Sequence, residues 1–232
     1  MAEPCHNFRR KIKTMERRNF LKTSLAAGTV VAGMSISGAP LLAENEKAST
    51  QMKTGKKKIL ILTGSPRRNG NSNTLADELA KGASEAGHEV VRFDSAFKEV
   101  HPCIGCNFCG MDGACVFKDD FEFVRKHIVD ADCVVFATPM YYFGISAQLK
   151  AVIDRFYAIN GQIHVNKKAV LMMTYANSAA SDAVPIESHY EVLIKYLGWT
   201  DAGQIIVPGV WPVGAINDTK YTKLAYELGK KL

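Results

Sequence analysis

Five short apolar runs, each followed by an amphipathic segment, describe a doubly wound α/β sandwich over residues 57–232. The runs are β-branched and nearly continuous in apolar character, the pattern of strands covered on both faces of a parallel sheet. About 180 residues also suit one domain with a full core.

The first strand is KKILILTG (57–64), and an amphipathic helix follows from about Ser72 to Ala86. HEVVRFD (88–94) is the second strand, and the cysteine-rich loop follows it. A helix near Asp119 to Asp130 leads into the third strand, DCVVFATP (132–139). Next come a helix from about Ser146 to Ile159 and the strand KKAVLMMTY (167–175). A helix around Ile186 to Leu197, the strand GQIIVPG (203–209) and a last helix from about Asp218 to Lys231 complete the alternation. In such a sheet ligands bind beyond the carboxyl ends of the strands, where strand order reverses. The segments after Gly64, Thr138 and Tyr175 are therefore the ones to read for chemistry.

Ahead of this domain the first 22 residues hold seven basic side chains against Glu3 and Glu16, a net +5 out of the chain's +6. The domain itself is nearly neutral, so nucleic-acid binding is not expected. The basic head runs into SLAAGTVVAGMSISGAPLLA, an uncharged stretch diluted by glycines and Pro40. Charged head, mild apolar middle and small residues near the end make a signal peptide over residues 1–43. Gly and Pro weaken the alternative, a membrane-spanning helix, so no stable span is expected after cleavage. ERRNFLK (Glu16–Lys22) resembles the twin-arginine signal, which implies export of the folded protein to the periplasm. ENEKASTQMKTG is polar and aperiodic, making residues 44–56 a linker.

After the first strand comes GSPRRNGNSNTLADEL (64–79). It lacks the three spaced glycines of a dinucleotide fingerprint and the Gly-Lys-Ser/Thr ending of a Walker loop. It is instead rich in hydroxyl and amide side chains and runs straight into a helix N-terminus. Ser65, Asn71, Ser72 and Asn73 can donate hydrogen bonds, Arg67 supplies charge, and the helix end adds backbone N–H groups. Such a set suits a phosphate monoester, whereas a polar helix cap would explain only one or two of the residues.

With GSPRRNGNSNTL, PCIGCNFC, FKDDF and ATPMYYFGISAQLKAVIDRFY in this order, the chain resembles the flavodoxin-like NADPH-dependent FMN reductases and their iron–sulfur flavoprotein branch, over roughly residues 57–175. The resemblance implies a flavodoxin-like five-stranded parallel sheet of order 2-1-3-4-5 with helices on both faces. It implies that Ser65, Arg67, Asn71, Ser72 and Asn73 hold the FMN phosphate, and that Pro139, Met140, Tyr141, Tyr142, Phe143 and Gly144 lie against the flavin ring. Aromatic faces and backbone N–H groups can pack on a flat ring and bond its polar edge. Three aromatics in a row at a strand end cannot all point inward. The loop YANSAASD (175–182) would close over the ring, with Asn177 and Ser178 as weaker candidates. Asp154 and Arg155 read as a helix-surface pair or a subunit contact.

Cys103, Cys106, Cys109 and Cys115 have the spacing C-x2-C-x2-C-x5-C. Consecutive two-residue gaps let three thiolates converge, as in ferredoxin ligand runs. Zinc sites more often use two hooks on a long spacer. A disulfide or free thiols remain open, since export leads to an oxidising compartment. The iron–sulfur flavoproteins use the same compact arrangement, so the resemblance implies a [4Fe–4S] cluster on these four residues. Cys133, in an apolar strand, is expected to be buried and inert, and His101 to be an exposed loop residue.

No acid, base or nucleophile is assigned, because a bound flavin carries the hydride and electron chemistry. The donor is expected to be NAD(P)H or a protein, and the acceptor a quinone, a flavin or another small molecule. A homo-oligomer is implied by the resemblance. The competing class is a non-enzymatic FMN and iron–sulfur electron carrier, favoured by an exported location where NADPH is not a currency.

Overall fold

The computed structural model describes residues 55–232. The expected signal peptide, Cys5 and all of the linker but Gly55 and Lys56 lie outside the described residues. The strands are β1 (Lys58–Thr63), β2 (Glu89–Asp94), β3 (Cys133–Tyr141), β4 (Gly144–Ile145), β5 (Lys168–Thr174) and β6 (Thr200–Val207). The helices are α1 (Asn71–Glu85), α2 (Phe121–Asp130), α3 (Ala147–Asp154), α4 (Asn160–Ile163), α5 (Val184–Leu197) and α6 (Tyr221–Lys231).

The sheet order is β2-β1-β3-β5-β6, and every one of these pairings is parallel. Leaving out the two-residue β4, this is the expected flavodoxin-like 2-1-3-4-5 order. Strand order reverses between β1 and β3, which places the crevice at their carboxyl ends.

Side chains alternate across the sheet and divide the core in two. Leu60, Leu62, Val134, Phe136, Leu171 and Met173 face one side, where Phe121 and Ile128 of α2, Leu149 and Val152 of α3, and Ile186 and Tyr190 of α5 close over them. Ile59, Ile61, Val135, Val170 and Met172 face the other, against Leu75 and Leu79 of α1 and Ala225 of α6. Each fully buried Leu or Ile contributes about 1.5–3 kcal/mol. Cys133 is buried in this second core, and burial pushes its thiol up to about 12. Helices α1 and α6 touch backbone to backbone. A Cβ on Gly82 would lie 2.0 Å from the Tyr226 carbonyl oxygen, and one on Gly229 would lie 2.1 Å from that of Leu79.

The five expected parallel strands are all present, and a short antiparallel strand is added where the chain folds back after β3, β4 pairing Met140 with Ile145 and Tyr141 with Gly144. Three expectations are corrected. The last strand begins at Thr200 rather than Gly203, since Thr200 already pairs with Lys168; its polar start hides it from an apolar count. The helix expected through Ile159 ends at Asp154 and continues as a 3-10 turn over Arg155–Ile159 before α4. Finally, Asp154 and Arg155 are not a pair: Asp154 bonds Lys150, while Arg155 is only 1% exposed and turns inward.

Candidate functional site

Loops after β1, β3, β5 and β6 enclose a pocket of about 550 Å³. Its polar end is built by the turn between β1 and α1. Ser65 Oγ accepts from the Arg67 N–H at 3.2 Å, and Gly70 N–H donates to the Arg67 carbonyl at 2.9 Å, which curls the turn beneath the helix start. Gly70 has no room for a side chain there, as a Cβ would lie 2.6 Å from Ser65 Oγ. Helix α1 begins without a side-chain cap and without an acidic residue in its first turn. Its first N–H groups and their positive dipole end are thus left for an anion.

The five residues expected at the phosphate divide by role. Ser65, Arg67, Asn71 and Ser72 line the pocket, and Asn73 does not. Ser72 Oγ is buried with no hydrogen-bond partner, an arrangement that costs free energy unless a ligand supplies one. Asn73 donates to the Arg67 and Arg68 carbonyls at 2.9 and 3.2 Å and so shapes the turn. Asn71 is committed elsewhere. Its amide donates to the Val210 and Pro212 carbonyls at 3.0 and 2.8 Å, and its oxygen accepts from Gly214 and Ile216 N–H at 3.1 and 3.4 Å. Arg67 is exposed at the pocket wall, while Arg68 is stacked on Phe97, 4.1 Å from the ring centre.

The other end is apolar and aromatic. Pro139, Met140, Tyr141, Tyr142 and Phe143 line it, whereas Gly144 sits behind them as the hairpin partner of Tyr141. The two residues of the hairpin turn, Tyr142 and Phe143, have φ of 46° and 61°. A two-residue turn of this hand normally takes Asn-Gly, so two bulky aromatics there hold strained backbone. All three aromatics from Tyr141 to Phe143 are exposed at the pocket's edge. Thr174, Tyr175, Ala176 and Asn177 form the third side, with Asn177 bonded to Asp182 at 2.8 Å. Ser178 does not line the pocket. Tyr175 lies deep, and burial followed by the nearby acids raises its phenol above the ordinary value, keeping it neutral.

A fourth wall was missed in the sequence reading: Val210, Trp211 and Val213, from the loop after β6. An exposed Trp in GVWPVG, just beyond a strand's carboxyl end, is the signal that could have found it. No histidine, lysine, cysteine or carboxylate belongs to the pocket lining. The hydroxyls of the lining thus have no histidine, lysine or carboxylate among the lining residues to activate them, and the site is built to bind and orient.

The cysteine loop lies between β2 and α2. Left-handed turns at Gly105, Asn107, Gly110 and Met111 fold it back on itself. Cys103, Cys106, Cys109 and Cys115 all line one small cavity beside Arg155, Tyr157 and Ala158. All five described cysteines are free thiols. Among the described residues no three His, Cys, Asp or Glu side chains gather closely enough to hold a single metal ion. Four ligands of one ion crowd a point at about 2.3 Å, as around zinc. Ligands of a cluster each bind a different iron, and four thiols bordering one cavity are the donor type such a group takes.

The loop is fastened to the segment after α3 and to α2. Tyr157 donates to Asn107 at 2.9 Å, Asn160 N–H to the Met111 carbonyl at 2.9 Å, Gln162 to Asp112 at 3.0 Å, and Arg125 to the Gly113 carbonyl at 2.7 Å. Its neck is closed by Asp119, which accepts from His101 N–H at 3.0 Å and from Arg155 at 2.8 Å. Burial alone would push the Asp119 carboxyl up, but the bonds from Arg155, His101 and Phe121 outweigh it and hold it below the usual carboxylate range. His101 is exposed and stacks on Phe117, 4.8 Å between ring centres.

Residues 57–210 match the family described as NADPH-dependent FMN reductase. An iron-sulfur flavoprotein of Methanocaldococcus jannaschii is 40% identical over 98 residues, 42% of this chain and 51% of that protein. An iron-sulfur flavoprotein of Archaeoglobus fulgidus is 29% identical over 176 residues, 75% of this chain and 78% of that protein. Among these relatives the chain spans about half the length of the first. An NAD(P)H:quinone oxidoreductase from Methanothermobacter marburgensis shares the fold, with a TM-score of 0.61 and 19% identity over 76% of this chain and 97% of that one.

Proposed function

Because the chain belongs to the NADPH-dependent FMN reductase family, we propose that it is an FMN-dependent oxidoreductase. In this reading electrons come from NAD(P)H or a protein donor and pass to a quinone, a flavin or another small acceptor. The observation that carries it is the two-ended pocket, with vacant donors at the α1 N-terminus and around Ser72, and a strained aromatic hairpin opposite. FMN has the same division, a phosphate at one end and a flat ring at the other. When bound it supplies the hydride and one-electron chemistry that no lining side chain offers.

The chain's own residues then have separable tasks. Ser72, Arg67 and the α1 N–H groups hold the phosphate. Pro139 to Phe143 pack on the ring, with Gly144 letting the hairpin close behind them. Tyr175 stays neutral under the floor, and Trp211 and Val213 screen one side from water. Exposed Tyr142, Phe143 and Trp211 around the mouth favour a second copy of the chain as cover, and hence a homo-oligomer.

The four loop cysteines would hold a [4Fe–4S] cluster, supported by their common cavity, their free thiols and the names of the relatives. The leader with Arg17 and Arg18 would carry the loaded protein to the periplasm. That location also keeps a second reading in play, an electron carrier reduced only by a protein partner. The test is to purify the full chain without oxygen, quantify FMN, iron and acid-labile sulfide, and assay NADH and NADPH with a quinone. One flavin with steady turnover supports the enzyme. Flavin that neither nucleotide reduces, and that passes no electrons to a quinone, a free flavin or another small acceptor after chemical reduction, sinks it in favour of the carrier.

A further inference from the structure

Arg155 is fully buried, yet it lies beneath an exposed loop and not in either apolar core. Its Nη1 donates to the His101 carbonyl at 2.9 Å and to Asp119 at 2.8 Å, and its Nη2 reaches the Phe117 carbonyl at 3.4 Å. One side chain therefore ties His101, two residues before the first loop cysteine, to Phe117 and Asp119 beyond the last. Its flat faces rest on Phe117 and Phe121, with the guanidinium carbon 5.4 and 4.8 Å from the ring centres. Of the two donors left over, Nε–H is buried and has no partner. Leaving a charged group's hydrogen bond unmade in a buried place is costly. Of the two members of the ion pair, only Arg155 borders the cavity that the four thiols share.

We propose that Arg155 is a positioning residue for the iron–sulfur site: it closes the cysteine loop and gives its spare N–H and its charge to the anionic cluster. The proposal rests on the reading of Cys103, Cys106, Cys109 and Cys115 as cluster ligands. A cluster with four thiolates is an anion, and reduction by one electron makes it more negative. A positive donor beside it stabilises the reduced form more than the oxidised form and raises the reduction potential.

The experiment compares the full-length wild type with Arg155→Lys and Arg155→Gln, purified without oxygen. FMN, iron and sulfide per chain are measured, and the cluster is titrated by EPR for its midpoint potential. Arg155→Lys is expected to keep cluster and potential close to wild type. Arg155→Gln is expected to keep FMN while its midpoint falls by a tenfold shift in the one-electron equilibrium, about 59 mV, or while iron is lost. A Gln variant with full iron and an unchanged midpoint overturns the Arg155 role and leaves the cluster reading standing. A wild-type chain with FMN and no iron overturns the cluster reading, and the Arg155 proposal with it. Because Arg155→Gln strands the Asp119 carboxylate and can cost the fold, a second measurement needs no variant. Pulsed EPR of the reduced wild type labelled with 15N-arginine is expected to show a guanidinium coupling to the cluster, and its absence overturns the proposal.

Discussion

Single residues separate what the phosphate turn uses for itself from what it keeps for a ligand. Ser72 carries a buried hydroxyl with no partner, so Ser72→Ala removes an unmet cost in the free protein and a donor in the complex. A hydrogen bond to a charged group is worth about 1.5–3 kcal/mol. The variant is expected to match or exceed wild-type stability while binding FMN roughly tenfold or more weakly, read by quenching of flavin fluorescence. Unchanged affinity would remove Ser72 from the phosphate site. Tyr142 offers the second case, since its left-handed backbone costs about 1–3 kcal/mol and glycine's greater freedom gives back about 0.5–1. Tyr142→Gly is therefore expected to raise the Tm of flavin-free protein and to weaken FMN binding. A lower Tm would mean that the hairpin is not strained. Asn71 shows the limit of reading residues by type, because an amide suited to phosphate is consumed by four bonds to the loop carrying Trp211.

Elements make their own demands. The α1–α6 crossing has carbonyl oxygens where side chains would begin, at Gly82 and Gly229. Alanine there gains about 1 kcal/mol of helix propensity. It collides with backbone that cannot yield, so Gly229→Ala is expected to lose about 1–3 kcal/mol net in urea unfolding. A stabilised variant would show that the two helices can separate without cost. The cysteine loop is closed at its neck by two carboxylates, Asp120 accepting from Glu99 N–H and Asp119 from His101 N–H and the buried Arg155. The folded Asp119 carboxyl titrates below its unfolded value of about 3.9, so its contribution is complete above that pH. It is lost as pH falls through the lower folded value. Urea midpoints from neutral pH downward are expected to hold until about pH 4 and then drop, and Asp119→Asn should flatten part of that drop. Parallel acid limbs for the two proteins would remove Asp119 from the balance.

At the scale of the whole molecule the proposed leader is tested by where the chain is found. If the twin-arginine reading holds, replacing Arg17 and Arg18 with Lys is expected to leave the chain in the cytoplasm with its FMN bound, as fractionation with flavin analysis would show. Undiminished export would dismiss that route. No helix among the described residues is long and apolar enough to cross a membrane. The sequence by itself determined the strands of a parallel sheet, the polar turn after β1 and the grouping of four cysteines. Each of these depends on neighbours a few residues apart, through alternation, helix starts and short spacing, and so survives in one dimension. The tertiary structure alone decided that Asn71 serves a loop 139 residues away, that Trp211 walls the pocket, and that Arg155 lies buried 54 residues from the carbonyl it holds. Those roles come from contacts across the sheet, where the nearest partner is chosen by packing and no local pattern records it.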